Sequence, residues 1–186
     1  MVQTTGHHSC SVSHPGTGQF DCRFSVQGAE PPSDWSFHPA AFARLARTLG
    51  PLDVDLFASA LNALPGYCSR VRDPAAWKID AFSFPWTGFK GYAFPPIPLI
   101  PRVLRKIRED RAQVVLIAPR WPRRTWFLDL TDLLTGPPTP LPCRPDLISQ
   151  PISQARHQQL GALHLTAWPL SGVPALRRAF QNGPLP

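Results

Sequence analysis

The chain has 186 residues, 43% of them hydrophobic, which suits one domain of ordinary size with flanking segments and argues against two full domains. Its 19 Lys and Arg against 12 Asp and Glu give a formal charge of +7, a balance that favours phosphate-bearing partners. No apolar run approaches the ~20 residues that cross a bilayer and the N-terminus lacks an apolar signal core. With no Cys-x-x-Cys pair among Cys10, Cys22, Cys68 and Cys143, neither a disulfide framework nor a zinc ribbon is expected. These features predict a soluble intracellular protein, nuclear or cytoplasmic, with no membrane partner.

The 24 prolines must fall in connections and first helical turns, so the elements are expected to be short and sharply bounded. Residues 1–33 carry His7, His8 and His14 among Gly, Ser and Thr with no periodicity, the composition of a disordered leader. The spacing of Cys10, His14 and Cys22 matches no familiar zinc site, and no metal is predicted. Order is expected to begin at Trp35-Ser36-Phe37-His38-Pro39, followed by a helix with Phe42, Leu45, Ala46 and Leu49 on one face and a stop at Gly50-Pro51. In 52–58, Leu52, Val54 and Leu56 alternate with Asp53 and Asp55, predicting a strand with two carboxylates on one side.

Short strands are predicted at 79–82 and 91–94, flanking Trp86-Thr87-Gly88, the second ended by Pro95-Pro96. Pro101 opens a helix with Val103, Leu104 and Ile107 on its apolar face, and 113–119 is the clearest buried strand. A helix is predicted from Pro122 with the stripe Phe127, Leu130, Leu133 and Leu134, ended by Gly136-Pro137-Pro138. Short strands follow around Leu141 and at 147–149, then a last strand at 162–168 and a short C-terminal helix at 174–180. The predicted organisation is a leader (1–33), an α/β domain (34–172) and a tail (173–186).

Strands alternating with helices at this spacing imply a mostly parallel sheet with right-handed crossovers, whose ligands bind at the carboxyl ends of the strands. That rule places Asp53 and Asp55, the Phe94-Pro95-Pro96 turn and Pro119-Arg120-Trp121 on one rim. Residues 102–124 hold eight of the 19 basic residues. A charged helix is often only a solvated face. Yet Arg120, Arg123 and Arg124 stand around Trp121 and Trp126, and phosphate contact beside an aromatic ring suits single-stranded nucleic acid. His157 and His164 lie near no obvious nucleophile, so hydrolase chemistry is not expected.

Asp53-Val54-Asp55-Leu56-Phe57-Ala58-Ser59, Asn62-Ala63, Pro65-Gly66-Tyr67, Trp86-Thr87-Gly88, Pro95-Pro96, Val114-Val115-Leu116-Ile117-Ala118-Pro119 and Trp126-Phe127 together resemble the phage-type DNA adenine methyltransferase family, over roughly residues 35–170. In closer wording, Trp35-Ser36-Phe37-His38-Pro39, Val54-Asp55-Leu56-Phe57-Ala58-Ser59, Tyr92-Ala93-Phe94-Pro95-Pro96 and Ala118-Pro119-Arg120-Trp121-Pro122 look like the methyltransferase-like region of DIRS-type retrotransposon polyproteins. There that region lies between reverse transcriptase with RNase H and a tyrosine recombinase. The resemblance implies a piece, or a derivative, of such a polyprotein, with those regions as partners.

The resemblance implies a three-layer Rossmann-like methyltransferase fold. It also implies an S-adenosylmethionine site at Asp53, Asp55 and Asn62, and a catalytic turn at Phe94, Pro95 and Pro96. Two departures stand out. No Gly-rich turn follows Asp55, which narrows the room for close backbone approach to a cofactor. The family's Asn or Asp before Pro-Pro is Phe94 here and the aromatic after it is Ile97, so the side-chain acceptor and the stacking face are missing. Tyr92, Trp86 and Trp121 are the remaining candidates for stacking. The expected function is a non-catalytic, nucleic-acid-binding domain with a degenerate active site. The alternative is an active S-adenosylmethionine-dependent DNA adenine methyltransferase, and a relic with no selected activity is a third reading.

Overall fold

A computed structural model describes residues 35–58, 66–150 and 160–182. In chain order these form β1 (Ser36–Phe37), α1 (Pro39–Leu49), β2 (Val54–Ala58), β3 (Tyr67–Ser69), β4 (Lys78–Ile79), β5 (Lys90–Ala93), α2 (Ile100–Glu109) and β6 (Gln113–Pro119). Then come α3 (Phe127–Asp132), β7 (Thr139–Pro140), β8 (Ile148–Ser149), α4 (Leu160–Leu163), β9 (Leu165–Ser171) and α5 (Pro174–Gln181). Seven strands make one sheet in the order β4-β3-β2-β5-β6-β9-β7. Six run in one direction, β9 runs antiparallel between β6 and β7, and β1 pairs separately with β8. The chain is thus mixed α/β with a mostly parallel sheet. The strand direction of travel reverses at β2, which has β3 on one side and β5 on the other.

Two cores flank the sheet, and the pleat of β6 separates them. Val114, Leu116 and Ala118 face a core built with Ile100, Val103, Leu104 and Ile107 of α2 and Leu130 of α3. Val115 and Ile117 face the opposite core, with Leu45 of α1, Tyr92, Leu147, Ile148 and Leu160. Side chains that alternate along a strand stay dry on both faces only when both are covered, which accounts for the unbroken apolar run of β6. Gly172, just past β9, donates its N–H to the Ala112 carbonyl at 2.9 Å. A side chain there would run into the Ile107 carbonyl, so only glycine lets β9 pass this close to the end of α2.

Helix α1 begins where the sequence predicts, through an unusual cap. Pro39 occupies the first helical position, and the Nδ1 of His38 accepts the Ala40 N–H at 3.2 Å, while the His38 backbone N–H donates to the Leu147 carbonyl at 2.9 Å. Accepting at Nδ1 leaves the ring proton on Nε2, which lies 3.7 Å from the Asp146 carboxylate. Replacing His38 with Ala is expected to cost about 1 kcal/mol, and roughly 2–4 °C in melting temperature for a chain of this size. Asn at the same position should recover most of it. Equal thermal midpoints for the wild type and the Ala variant would contradict the cap.

Several boundaries differ from the sequence expectation. Tyr67–Ser69 is a strand that the Gly- and Arg-rich surroundings conceal. In 79–82 only Ile79 pairs: Asp80 turns the chain at φ 51°, and its carboxylate accepts the Phe82 N–H at 3.0 Å to start a 3-10 turn, Ala81–Ser83. The helix expected from Pro122 starts five residues later. Trp121 to Phe127 is wound by i→i+3 bonds (Arg124 N–H to Trp121 O, Phe127 N–H to Arg124 O), and the first i→i+4 bond is Leu130 to Trp126. The last strand runs 165–171 rather than 162–168, because α4 occupies 160–163 and His164, at φ 44°, breaks the chain between them.

The short strands near 141 and 147–149 do not pair with each other. Thr139–Pro140 joins β9, and Ile148–Ser149 joins β1. Helix α5 is tied to α3 by an Arg177–Asp132 ion pair at 2.8 Å. Eight residues, 59–66, separate β2 from β3, and eight, 70–77, separate β3 from β4. The second, described throughout, is shorter than the dozen or more residues a helical crossover needs. The expected leader (1–33) lies outside the described residues. No helix among the described residues is long and apolar enough to cross a membrane.

Candidate nucleic-acid interface

Strand direction decides which expected site residues share an edge. β5 and β6 are parallel neighbours in register from Lys90 with Gln113 to Ala93 with Leu116, so Phe94-Pro95-Pro96 and Pro119-Arg120 leave the sheet on the same side. Phe94, Pro95, Pro96 and Pro119 line one apolar cavity of about 90 Å³, shared with Trp35 and Ile148. The turn itself is packed: Pro95 is buried, and the Phe94 ring meets Phe37 edge-on at 6.2 Å. Ile97 is partly exposed and opens the 3-10 turn into α2.

Asp53 does not belong to this rim. It precedes β2, and its Oδ2 accepts the N–H of Lys90, the first residue of β5, at 2.7 Å, which places it at the amino edge of the sheet. Asp55 pairs with Tyr92 in register and sits buried inside β2 on the face covered by α1. One carboxylate oxygen accepts the Phe57 N–H at 3.1 Å. Burial raises its pKa to about 7, opposed by that hydrogen bond. The hydroxyl of Tyr92 is buried with no hydrogen-bond partner, and burial together with Asp55 holds its pKa well above the ordinary tyrosine value. Asn62 lies outside the described residues. The described members of the proposed S-adenosylmethionine set are therefore not brought together: one carboxylate is at the opposite edge and the other is desolvated inside a strand. They do not fit that cofactor.

Two of the three stacking candidates are structural. Tyr92 is 2% exposed and takes the ring of Phe42 edge-on at 5.1 Å. Trp86 is fully buried, with its indole N–H donated to the Ala81 carbonyl. Trp126, expected at the rim, is buried too. Trp121 alone remains partly open, packed by one side on the core, with the Arg124 guanidinium 5.3 Å from its ring centroid.

The basic stretch divides by position. On α2, Lys106 pairs with Asp110 at 2.9 Å, Arg108 with Asp132 at 3.0 Å and Asp129 at 3.4 Å, and Arg102 lies 3.8 Å over the Phe82 ring. Those charges serve the fold. Arg120, Arg123 and Arg124 are exposed and pair with no carboxylate among the described residues. The backbone N–H of Arg120 donates to the His164 carbonyl at 3.1 Å.

That contact brings in residues that sequence reasoning missed. Because β9 is antiparallel, its first residues, not its last, share the rim with the ends of the parallel strands. A second cavity of about 390 Å³ opens there, with Arg120, His164 and Cys143 among its lining. The signal for it was the direction of the last strand, which periodicity does not carry. Among the described residues no three metal-binding side chains gather, and Cys10, His14 and Cys22 lie outside them. The Cys68 thiol is buried and pushed up to about 12 by desolvation, so it is no nucleophile. Compared with known proteins, the chain matches no family model, no curated protein and no solved structure.

Proposed function

We propose that this chain is a methyltransferase-like domain of retrotransposon origin, non-catalytic, that binds single-stranded nucleic acid along the rim formed by Arg120, Trp121, Arg123 and Arg124. The observation that carries the reading is the set of three exposed arginines, without carboxylate partners among the described residues, that flank the half-buried ring of Trp121 at the carboxyl edge. Guanidinium groups meet phosphates in a planar fork, and a tryptophan face accepts any base, so the pairing favours a strand without selecting its sequence.

The sheet supports the methyltransferase-like half of the proposal. Ranked by position in the chain, its strands stand 3-2-1-4-5-7-6, with the seventh antiparallel. The first five follow the doubly wound order with its switch point beside the first strand, and an antiparallel strand set between the fifth and sixth suits a Rossmann-like methyltransferase sheet. The chemistry supports the non-catalytic half. Phe94 brings no side-chain acceptor to hold an amine in line with a methyl donor, and Asp55 has one oxygen engaged and is desolvated. Reverse transcriptase with RNase H and tyrosine recombinase regions are the proposed neighbours of the parent polyprotein.

Fluorescence anisotropy with a labelled mixed-sequence single-stranded oligonucleotide tests the rim. Arg120→Ala, Arg123→Ala and Arg124→Ala together should flatten the slope of log affinity against log salt by about 2, at about 0.7 for each lost phosphate contact on a single strand. Trp121→Ala should cost about 1–3 kcal/mol, roughly 5- to 150-fold in affinity, with little change of slope. Binding that is insensitive to salt and to all four substitutions would overturn the reading. Calorimetry with millimolar S-adenosylmethionine is expected to give no heat; methyl transfer to DNA would replace the proposal with an active adenine methyltransferase.

A further inference from the structure

The larger cavity is built unlike the rest of the rim. It lies between the ends of β6, β7 and β9, and its volume of about 390 Å³ falls within the range of about 300–1,000 Å³ that accommodates small ligands. Its floor is aliphatic, with Leu147, Leu160 and Leu165 all buried. Polar groups gather around the lining instead. Arg120 and His164 are exposed, and Thr166, 2% exposed, spends its hydroxyl proton on the His164 carbonyl at 3.1 Å, leaving the oxygen free to accept.

No acidic residue lines the cavity among the described residues. The left-handed turn at His164 holds one carbonyl toward two donors, the Arg120 backbone N–H and Thr166 Oγ1, and so fixes Arg120 and His164 beside each other. An aliphatic floor under an anion-attracting mouth selects a ligand with a flat apolar body and a negative charge. Trp121 follows Arg120 in the chain, so a strand whose one base stacks on Trp121 runs its adjoining phosphate past Arg120 and delivers the next base to the cavity.

We infer that this cavity holds one unstacked nucleotide of the bound strand, its base over Leu147, Leu160 and Leu165 and its phosphate against Arg120 and His164. The inference rests on the proposed strand-binding function and names the subsite that captures a base. Cys143 lines the same cavity and is exposed, so it reports on occupancy, whereas Cys68 is buried and unreactive.

The test is N-ethylmaleimide labelling of the full chain, with the rate at Cys143 followed by peptide mass mapping. With single-stranded DNA at about ten times its dissociation constant, roughly a tenth of the sites stay open, and labelling should slow about tenfold. Millimolar deoxynucleoside monophosphate should protect less than the strand does; equal or better protection would overturn the strand as the occupant in favour of a free nucleotide. Cys143→Trp, an exposed substitution that fills the mouth, should weaken strand binding roughly 5- to 150-fold with an unchanged salt slope. Strand binding that leaves both Cys143 labelling and the affinity of the Trp variant unchanged would overturn the cavity assignment while the rim reading stands. A wild-type chain that binds no strand overturns the rim reading, and the cavity assignment with it.

Discussion

Replacing Trp86 with Ala is expected to lower the unfolding free energy by about 3–5 kcal/mol, a large share of the 5–15 kcal/mol typical of a domain. The indole is fully buried, with Phe82 and Phe57 at 6.0 and 6.4 Å between ring centroids. Its N–H donates to the Ala81 carbonyl at 2.6 Å, and the Lys106 ammonium lies 5.5 Å from the ring centroid. The Trp86 backbone N–H also donates to Asp110, which is the partner of Lys106. Truncation therefore leaves a cavity, an unpaired carbonyl and a cation without its ring.

Trp86→Phe, which keeps most of the packing and loses the hydrogen bond, should fall between the two. Urea denaturation followed by circular dichroism reads the midpoints. The same experiment separates two roles for this residue. A stacking platform for a base would lose affinity and keep its stability; the buried indole predicts lost stability and unchanged strand affinity of the folded protein. A Trp86→Ala midpoint equal to the wild type would sink the structural assignment.

Asp55 carries the second large effect, and it depends on pH. With burial raising the native carboxyl to about 7, the folded chain keeps a proton over a range where the unfolded chain has already released it. Stability contributed by the neutral carboxyl is complete below about pH 4, is lost as the pH rises through about 7, and stays lost above that. About three pKa units correspond to roughly 4 kcal/mol. Asp55→Asn can still accept the Phe57 N–H but cannot ionise. The difference in stability between the Asn variant and the wild type should therefore grow by roughly that amount from about pH 4 to about pH 8, with the Asn variant the more stable at the upper end. Taking the difference cancels the titration of every other group. Parallel stability curves for the two proteins would show that Asp55 is hydrated in the folded state.

How far the site was legible follows from the range of the forces that build it. The turn at Phe94-Pro95-Pro96 was legible because two consecutive prolines end a strand by their own covalent geometry. Asp53 and Asp55 were expected together because they alternate on one strand. Their separation by edge and depth comes from a hydrogen bond to Lys90, 37 residues away, and from the packing of α1. Arg108 and Arg120 read alike as members of one basic run. Only the arrival of Asp129 and Asp132 beside the first, and of no carboxylate among the described residues beside the second, separates a charge paired within the fold from one left unpaired at the rim.

By itself, the sequence determined the elements whose signal is local: the apolar stripe of α2, the dry strand β6, the helices with Pro39, Pro101 and Pro174 in their first turns, and a sheet that had to be covered on both faces. Only the tertiary structure decided that β9 runs antiparallel, that Trp86, Tyr92 and Trp126 are core and Trp121 is not, and that His164 and Cys143 stand beside Arg120. Periodicity records which side of an element is apolar, because that is set by the spacing of neighbours along the chain. It does not record which distant segment covers that side or which way a strand returns, and the rim of this protein is assembled from those two choices.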